Sequence, residues 1–280
     1  MIDVLSYYND RLLRLKQTID QYSQTPKLLI ITDDSNDAGR SYIKSKLNAC
    51  KSVGIFADTM KVQPDAIKDE YTLYHYMELY SDMLRSFDGI IVQHPFGDLK
   101  WGDFVNFVMA FVDENQDVDG LVPYSQHKPC TPLGILRLIE HLTQQGNEYT
   151  RFVIVGKGRM IGKPLLPLIQ QKYPQATIDV VDSKTTPDQF ADLLKTVDKN
   201  TCVICATPVH NIVTKNNINY EATYIDCGCN LVDGELLGNV SRECYNQQAM
   251  ITPVPNGVGK LTVLSLLENV VDSFVQKQGK

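Results

Sequence analysis

The apolar run Arg151-Phe-Val-Ile-Val155 stops abruptly at Gly156-Lys-Gly158-Arg-Met-Ile-Gly162 and passes into the helix-spaced stretch Lys163 to Gln171. A buried strand, a glycine loop and a helix in immediate succession describe one βα unit. Its turn lets the backbone approach a pyrophosphate, and the following helix N-terminus favours the negative charge. The spacing is GxGxxxG rather than GxGxxG, so an ordinary strand-to-helix turn stays open as the alternative. The alternation continues: TIDVVDSK, TCVICAT and TYIDCGCN read as further strands, and LTVLSLLENVVDSFVQKQ as an apolar closing helix.

The first half repeats the pattern. Leu5, Leu12, Leu13, Leu15 and Ile19 have the spacing of an amphipathic helix over residues 4–22. PKLLIITDDS follows as a strand, RSYIKSKLNACKSVGI as a helix stopped by Gly54, and FADTMKVQ as a strand. A helix over about 69–85, the strand FDGIIVQHPF and, after a loop, the helix LGILRLIEHL complete the half. Strands alternating with helices predict two α/β domains with mainly parallel sheets. The polar stretch TQQGNEYT suggests a boundary near residue 145. The expected division is 1–145, a Rossmann-type domain over 146–255, and a C-terminal segment over 256–280 that returns to the N-terminal domain.

A formal net charge of -6 argues against a broad nucleic-acid surface. The apolar runs are of strand length, and Asp3 with its polar neighbours offers no secretory signal, so a cytoplasmic protein without a membrane span is expected. Seven cysteines without secretory context do not suggest a disulfide framework. Cys202 and Cys205, three apart in a strand, point to opposite faces. Cys227 and Cys229 share a face but lack a partner pair, so no metal site is expected.

Four constellations can carry chemistry. Lys157, Arg159 and Ser183 suit the 2′-phosphate of NADP, whereas Asp182, at the end of the second strand, suits the ribose of NAD; both cofactors stay open. Tyr42 and Lys46, four apart on one helix, can reach one ligand, although a solvated surface Lys is the plainer reading. Gln93 ends the strand GIIVQ, where side chains meet the crevice beyond a parallel sheet. Asp117-Val-Asp119-Gly120 is either a recognition loop or a simple Asx-type turn. His94, beside Gln93, is read as packed or superficial, and Trp101 has no assigned role.

These pieces occur in a familiar order. PKLLIITDDS, YIKSKLNACKSVGI, GIIVQHP, DVDG, PCTPLGI, VIVGKGRMIGKP, YIDCGCNLVDGELLGNV and ITPVPNGVGKLT together resemble the bifunctional methylenetetrahydrofolate dehydrogenase/cyclohydrolase family over nearly the whole chain. The resemblance implies a folate held between an N-terminal α/β domain and a Rossmann domain, a homodimer, and a place in one-carbon metabolism that supplies purine biosynthesis. It implies that Tyr42 stacks on the folate, Lys46 is catalytic, Gln93 partners Lys46, and Asp119 recognises the pterin. Gly156, Lys157, Gly158, Arg159, Gly162 and Ser183 correspond to the cofactor site. Pro253, Gly257 and Gly259 correspond to the segment lining the folate and nicotinamide.

The chain departs from the family pattern at His94 (usually Leu), Lys157 (usually Arg), Asp182 (usually His), Asn256 and Lys260. It also lacks the usual opening strand. Two rival readings are a shikimate-type NAD(P) oxidoreductase, which lacks the Tyr42–Lys46 pair and the TPVPxGVG segment, and a catalytically idle folate or dinucleotide binder.

Overall fold

The computed structural model describes residues 1–32, 37–62, 70–93, 108–246 and 248–279. His94, Trp101 and the acids expected to close the first strand lie outside them. The chain divides into two compact units, one of residues 1–9 and 131–262, the other of 10–130 and 263–280.

In the second of these, β1 (Lys27–Thr32) is central, with β2 (Phe56–Lys61) and β3 (Gly89–Val92) parallel on either side. Helix α2 (Asp37–Val53) connects β1 to β2, and Gly54 ends it at φ +89°, a conformation glycine adopts without strain. Helix α3 (Glu70–Arg85) precedes β3. Leu28 and Ile30 of β1 belong to one core cluster, and Leu29 and Ile31 to another, as period-two alternation requires of a sheet buried on both faces.

Helix α1 (Val4–Ile19) forms where the apolar spacing predicts it, but with a different inward face. Val4, Tyr8, Leu15 and Ile19 are buried, while Leu5 and Leu13 are 42% and 58% exposed. Ahead of it, Ile2 N–H donates to the Ile251 carbonyl at 3.0 Å, so the segment without an opening strand is still tied down by the backbone.

The other unit holds a five-stranded parallel sheet in the order β10-β7-β6-β4-β5, with β4 (Arg151–Val155), β5 (Thr177–Val181), β6 (Thr201–Cys205), β7 (Thr223–Asp226) and β10 (Met250–Ile251). Helices α4 (Cys130–Gln144), α5 (Gly162–Lys172) and α6 (Pro187–Lys195) accompany it. Cys202 and Cys205 enter different core clusters, on the two faces of β6. All seven cysteines are free thiols.

A hairpin of β8 (Asn230–Val232) and β9 (Glu235–Leu237) follows β7, in a stretch to which the strand pattern assigns no element of its own. Asp233 and Gly234 both have positive φ (49° and 82°), as a two-residue hairpin turn requires.

The expected boundary near 145 differs from the observed division. Ile135, Leu138, Ile139 and Leu142 of α4 pack with Phe152, Ile154 and Leu165, so α4 from residue 131 belongs with the glycine-loop sheet. Helix α7 (Val258–Gln278) is also split: residues 258–262 count with that sheet, and the rest with β1 and α2. From this longer part Val263, Leu266, Leu267, Val270 and Val271 fill the core beside Leu28, Ile30 and Ile43, so the C-terminal helix does return to the N-terminal sheet. Among the described residues no helix is long and apolar enough to cross a membrane.

Candidate active site

Lys46 sits in the apolar stripe of α2. Ile43, Cys50 and Val53, at helical spacing around it, are all buried, and Lys46 itself is 4% exposed. The reading of a solvated surface Lys is thereby corrected. Its Nζ donates to Gln93 Oε1 at 2.8 Å and lies 4.6 Å from the centre of the Tyr42 ring. Gln93, 7% exposed, is the first residue beyond β3; its N–H still bonds the Ile31 carbonyl at 2.8 Å, which keeps it in register at the carboxyl end of the sheet.

The acid loop separates into two roles. The Asp117 carboxylate accepts the N–H groups of Gly120, Leu121 and Val122 at 3.1, 2.9 and 3.0 Å, so the turn-forming reading holds for Asp117. Gly120 has φ +68°, and a Cβ there would lie 2.4 Å from the Lys128 carbonyl carbon. With the loop held this way, Asp119 is half-buried and its carboxylate faces Lys46 and the Cys130 thiol.

The electrostatics follow from burial. Desolvation pulls the Lys46 ammonium below its ordinary pKa of 10.5, and the Asp119 charge is the largest effect opposing it. Cys50 and Cys130 also face Lys46. Burial pushes Cys50 up to about 12 and Cys130 well above the usual thiol range, so both are neutral where Lys46 titrates. Among the described residues, the Asp119 carboxylate is therefore the strongest influence that favours a charged Lys46. An amine biased toward neutrality, held by an amide acceptor and facing a carboxylate, can take a proton from water or return it.

The glycine loop makes a different kind of site. Strands β5 and β6 flank β4 on opposite sides, so the crevice at the carboxyl ends of β4 and β6 is a topological switch point. Gly156, just past β4, has φ +106°, and a Cβ there would fall 2.2 Å from the Ala206 carbonyl oxygen. At Gly162 a Cβ would fall 1.9 Å from the Gly156 carbonyl oxygen, whereas around Gly158 there is open space. The N-cap of α5, Ile161, makes no side-chain cap, and no acid occupies the first turn. An uncapped helix start behind a glycine loop fits a dinucleotide pyrophosphate.

Lys157, Arg159 and Ser183 are exposed around this loop. One oxygen of the Asp182 carboxylate accepts the Lys184 N–H at 2.9 Å and organises the turn after β5.

Two residues of the crevice wall were not singled out from sequence. The Asn239 amide donates to the carbonyls of Thr207 and Val209 at 2.9 and 2.6 Å. Asp226 accepts the N–H groups of Gly228, Asn239 and Val240, and burial raises its pKa to about 6. Their only sequence signal was the pattern IDCG followed by GNV.

Pro253, Gly257 and Gly259 belong to the same unit as the glycine loop. A Cβ at Gly257 would lie 2.1 Å from the Pro253 carbonyl oxygen, so that turn excludes a side chain; Gly259 has open space. Asn256 takes φ +73°, which Asn tolerates better than most residues, so this departure from the family pattern is compatible with the turn.

Residues 4–119 match the tetrahydrofolate dehydrogenase/cyclohydrolase catalytic domain, and residues 129–278 the NAD(P)-binding domain of the same family. The chain belongs to the tetrahydrofolate dehydrogenase/cyclohydrolase family. It is 33% identical to the bifunctional protein FolD of Exiguobacterium sibiricum, over 93% of this chain and 94% of that one. The FolD of Lysinibacillus sphaericus is 32% identical, over 96% and 92%. Among solved structures, the bifunctional FolD of Campylobacter jejuni superimposes with a TM-score of 0.81 at 25% identity, over 98% of each chain.

Proposed function

We propose that the protein oxidises 5,10-methylenetetrahydrofolate to the 5,10-methenyl compound with NADP and then hydrolyses that compound to 10-formyltetrahydrofolate. The observation that carries this reading is the buried Lys46–Gln93 hydrogen bond with Asp119 alongside. Burying an ammonium costs several kcal/mol unless it is paired, hydrogen-bonded or neutralised, and such perturbed groups cluster at functional sites.

NADP held at the glycine loop would supply the hydride acceptor, and because the folate's own nitrogen lone pair expels the hydride, no protein base is needed for the first step. The protein's share there is alignment: Tyr42 offers its ring as a stacking face, and Asp119 a carboxylate for the pterin amide and amino edge. In the second step, water attacks the amidinium carbon and loses a proton. The bond from that carbon to N5 then breaks as the remaining hydroxyl proton is given up and N5 takes one, leaving the 10-formyl compound and one proton released overall. Lys46 takes the proton lost by the attacking water, and the Gln93 carbonyl oxygen, accepting from Nζ, fixes where the nitrogen points.

NADP is favoured over NAD because Lys157, Arg159 and Ser183 surround the loop, while one Asp182 oxygen is engaged by the Lys184 N–H. The structure of the Trypanosoma brucei enzyme was obtained with NADP, which agrees with this choice. Both family matches disfavour a shikimate-type dehydrogenase. A homodimer joined through the dinucleotide-binding unit, working in the cytoplasm in one-carbon metabolism, completes the reading.

The test is to supply methylenetetrahydrofolate with NADP or NAD separately and follow both methenyl and formyl products. Formation of both with NADP is expected; absence of both sinks the proposal.

A further inference from the structure

We propose that Asn269 of α7 is a positioning residue for the Asp119 carboxylate. The inference rests on the reading above that Asp119 holds the folate. Asn269 is buried, 2% exposed, and its Nδ2 donates to the Val118 carbonyl at 2.8 Å. The same carbonyl accepts the Cys130 thiol at 3.2 Å, and Asn269 Nδ2 lies 3.6 Å from that sulfur. The next carbonyl, that of Asp119, accepts the Cys130 N–H at 3.2 Å. Both peptide planes flanking the Asp119 α-carbon are thus pinned, and those two planes set its φ and ψ.

The Val118 side chain is seated as well. It is fully buried, and a Cβ at Gly89 would come within 2.8 Å of both its methyl groups and 3.0 Å of Val270, the residue after Asn269. On the side-chain face Val118 is fixed by packing; on the carbonyl face it is fixed by Asn269 and Cys130. A thiol is a weak donor, so the amide supplies most of the restraint. The nearby Asp117 bonds hold the loop downstream, at Gly120 to Val122, and leave the 118–119 peptide to these two residues.

Among the described residues, the groups facing Lys46 are Asp119, the neutral thiols of Cys130 and Cys50, the Tyr42 ring and the Gln93 amide. Asp119 is the charged member, so a carboxylate that swings away leaves Lys46 easier to deprotonate. Asn269→Leu, which keeps the branched shape but removes the donor, therefore has two signatures. The KM for methylenetetrahydrofolate rises about tenfold with a smaller change in kcat, as expected for one lost orienting hydrogen bond. The rising limb of the hydrolysis pH profile, measured from supplied methenyl compound, also moves to lower pH. A cooperative melting transition close to that of the wild type reports that the variant is folded.

Asn269→Asp guards against a Leu variant that does not fold. A protonated carboxyl donates to Val118 and an ionised one repels it, so the folate KM of this variant should approach wild type at low pH and rise with pH. Wild-type KM and an unmoved pH limb in Asn269→Leu, or a pH-independent KM ratio to wild type in Asn269→Asp, would overturn the proposal and leave Asn269 a purely structural amide. Wild-type protein with no folate turnover overturns the functional reading itself.

Discussion

The Lys46 centre is built from side chains on helix α2, just past the end of strand β3 and on the loop after Asp117, whereas the loop after β4 offers main-chain groups and the room left by missing side chains. At Lys46 the chemistry comes from what is present: an amine, an amide and a carboxylate drawn from three segments. At Gly156 and Gly162 it comes from what is absent, because any Cβ there would collide with a carbonyl oxygen. The first kind of site tunes a proton; the second cradles an anion. They should fail in different ways.

The largest effect is expected at Lys46→Met, which keeps the stem but removes the nitrogen. Hydrolysis should fall by ~10²–10⁴-fold while hydride transfer survives at a reduced level, so methenyl-folate accumulates as persistent near-ultraviolet absorbance. In the wild type, the hydrolysis rate should rise with pH through a pKa below the ordinary 10.5, because burial favours the neutral amine. If Lys46→Met hydrolyses supplied methenyl compound at the wild-type rate, Lys46 is not the base.

Gly156→Ala breaks the other site. Left-handed strain and the collision with Ala206 should cost on the order of 3 kcal/mol in stability or dinucleotide affinity. Hydrolysis of supplied methenyl compound should outlast oxidation in this variant. Equal loss of both in a protein that still melts cooperatively would erase the contrast between the sites.

Asp119→Ala should weaken oxidation and hydrolysis together, by on the order of 1.5–3 kcal/mol per lost hydrogen bond to the pterin. Calorimetry decides: an unchanged folate Kd would reduce Asp119 to a loop residue like Asp117. The smallest effect concerns Asp182→Ser. Ser can still accept the Lys184 N–H, so the turn survives while a negative charge leaves the phosphate side. NADP use should improve by up to about tenfold in kcat/KM, ~1.4 kcal/mol. A wild-type preference for NAD of that size would reverse the cofactor choice.

The contrast also explains what could be read in advance. A glycine loop after an apolar strand announces itself because backbone geometry restricts the residue type at each position. Burial of Lys46 is legible too, because it lies between Ile43 and Cys50 in the apolar stripe, although the general habit of lysines points the other way. The β8–β9 hairpin carried its Asp233-Gly234 signal between two apolar runs. Asn269 and Cys130 offered nothing comparable. Their bonds to Val118 join segments 151 and 12 residues apart, and no local periodicity encodes such a meeting. The boundary near 145 misplaced α4 because a polar stretch marks a loop, not the sheet on which the preceding helix packs.

The interleaved division of the chain sets an order of events during synthesis. Every residue of the dinucleotide-binding unit has been polymerised once residue 262 is added, while the unit carrying Lys46 and Gln93 still waits for α7 to deliver Leu266, Leu267, Asn269 and Val270. A nascent chain meets Lys46 early yet completes that lysine's surroundings last. The half-built sheet around β1, with apolar positions uncovered, is therefore the stretch most exposed to chaperones and to misassembly while translation finishes.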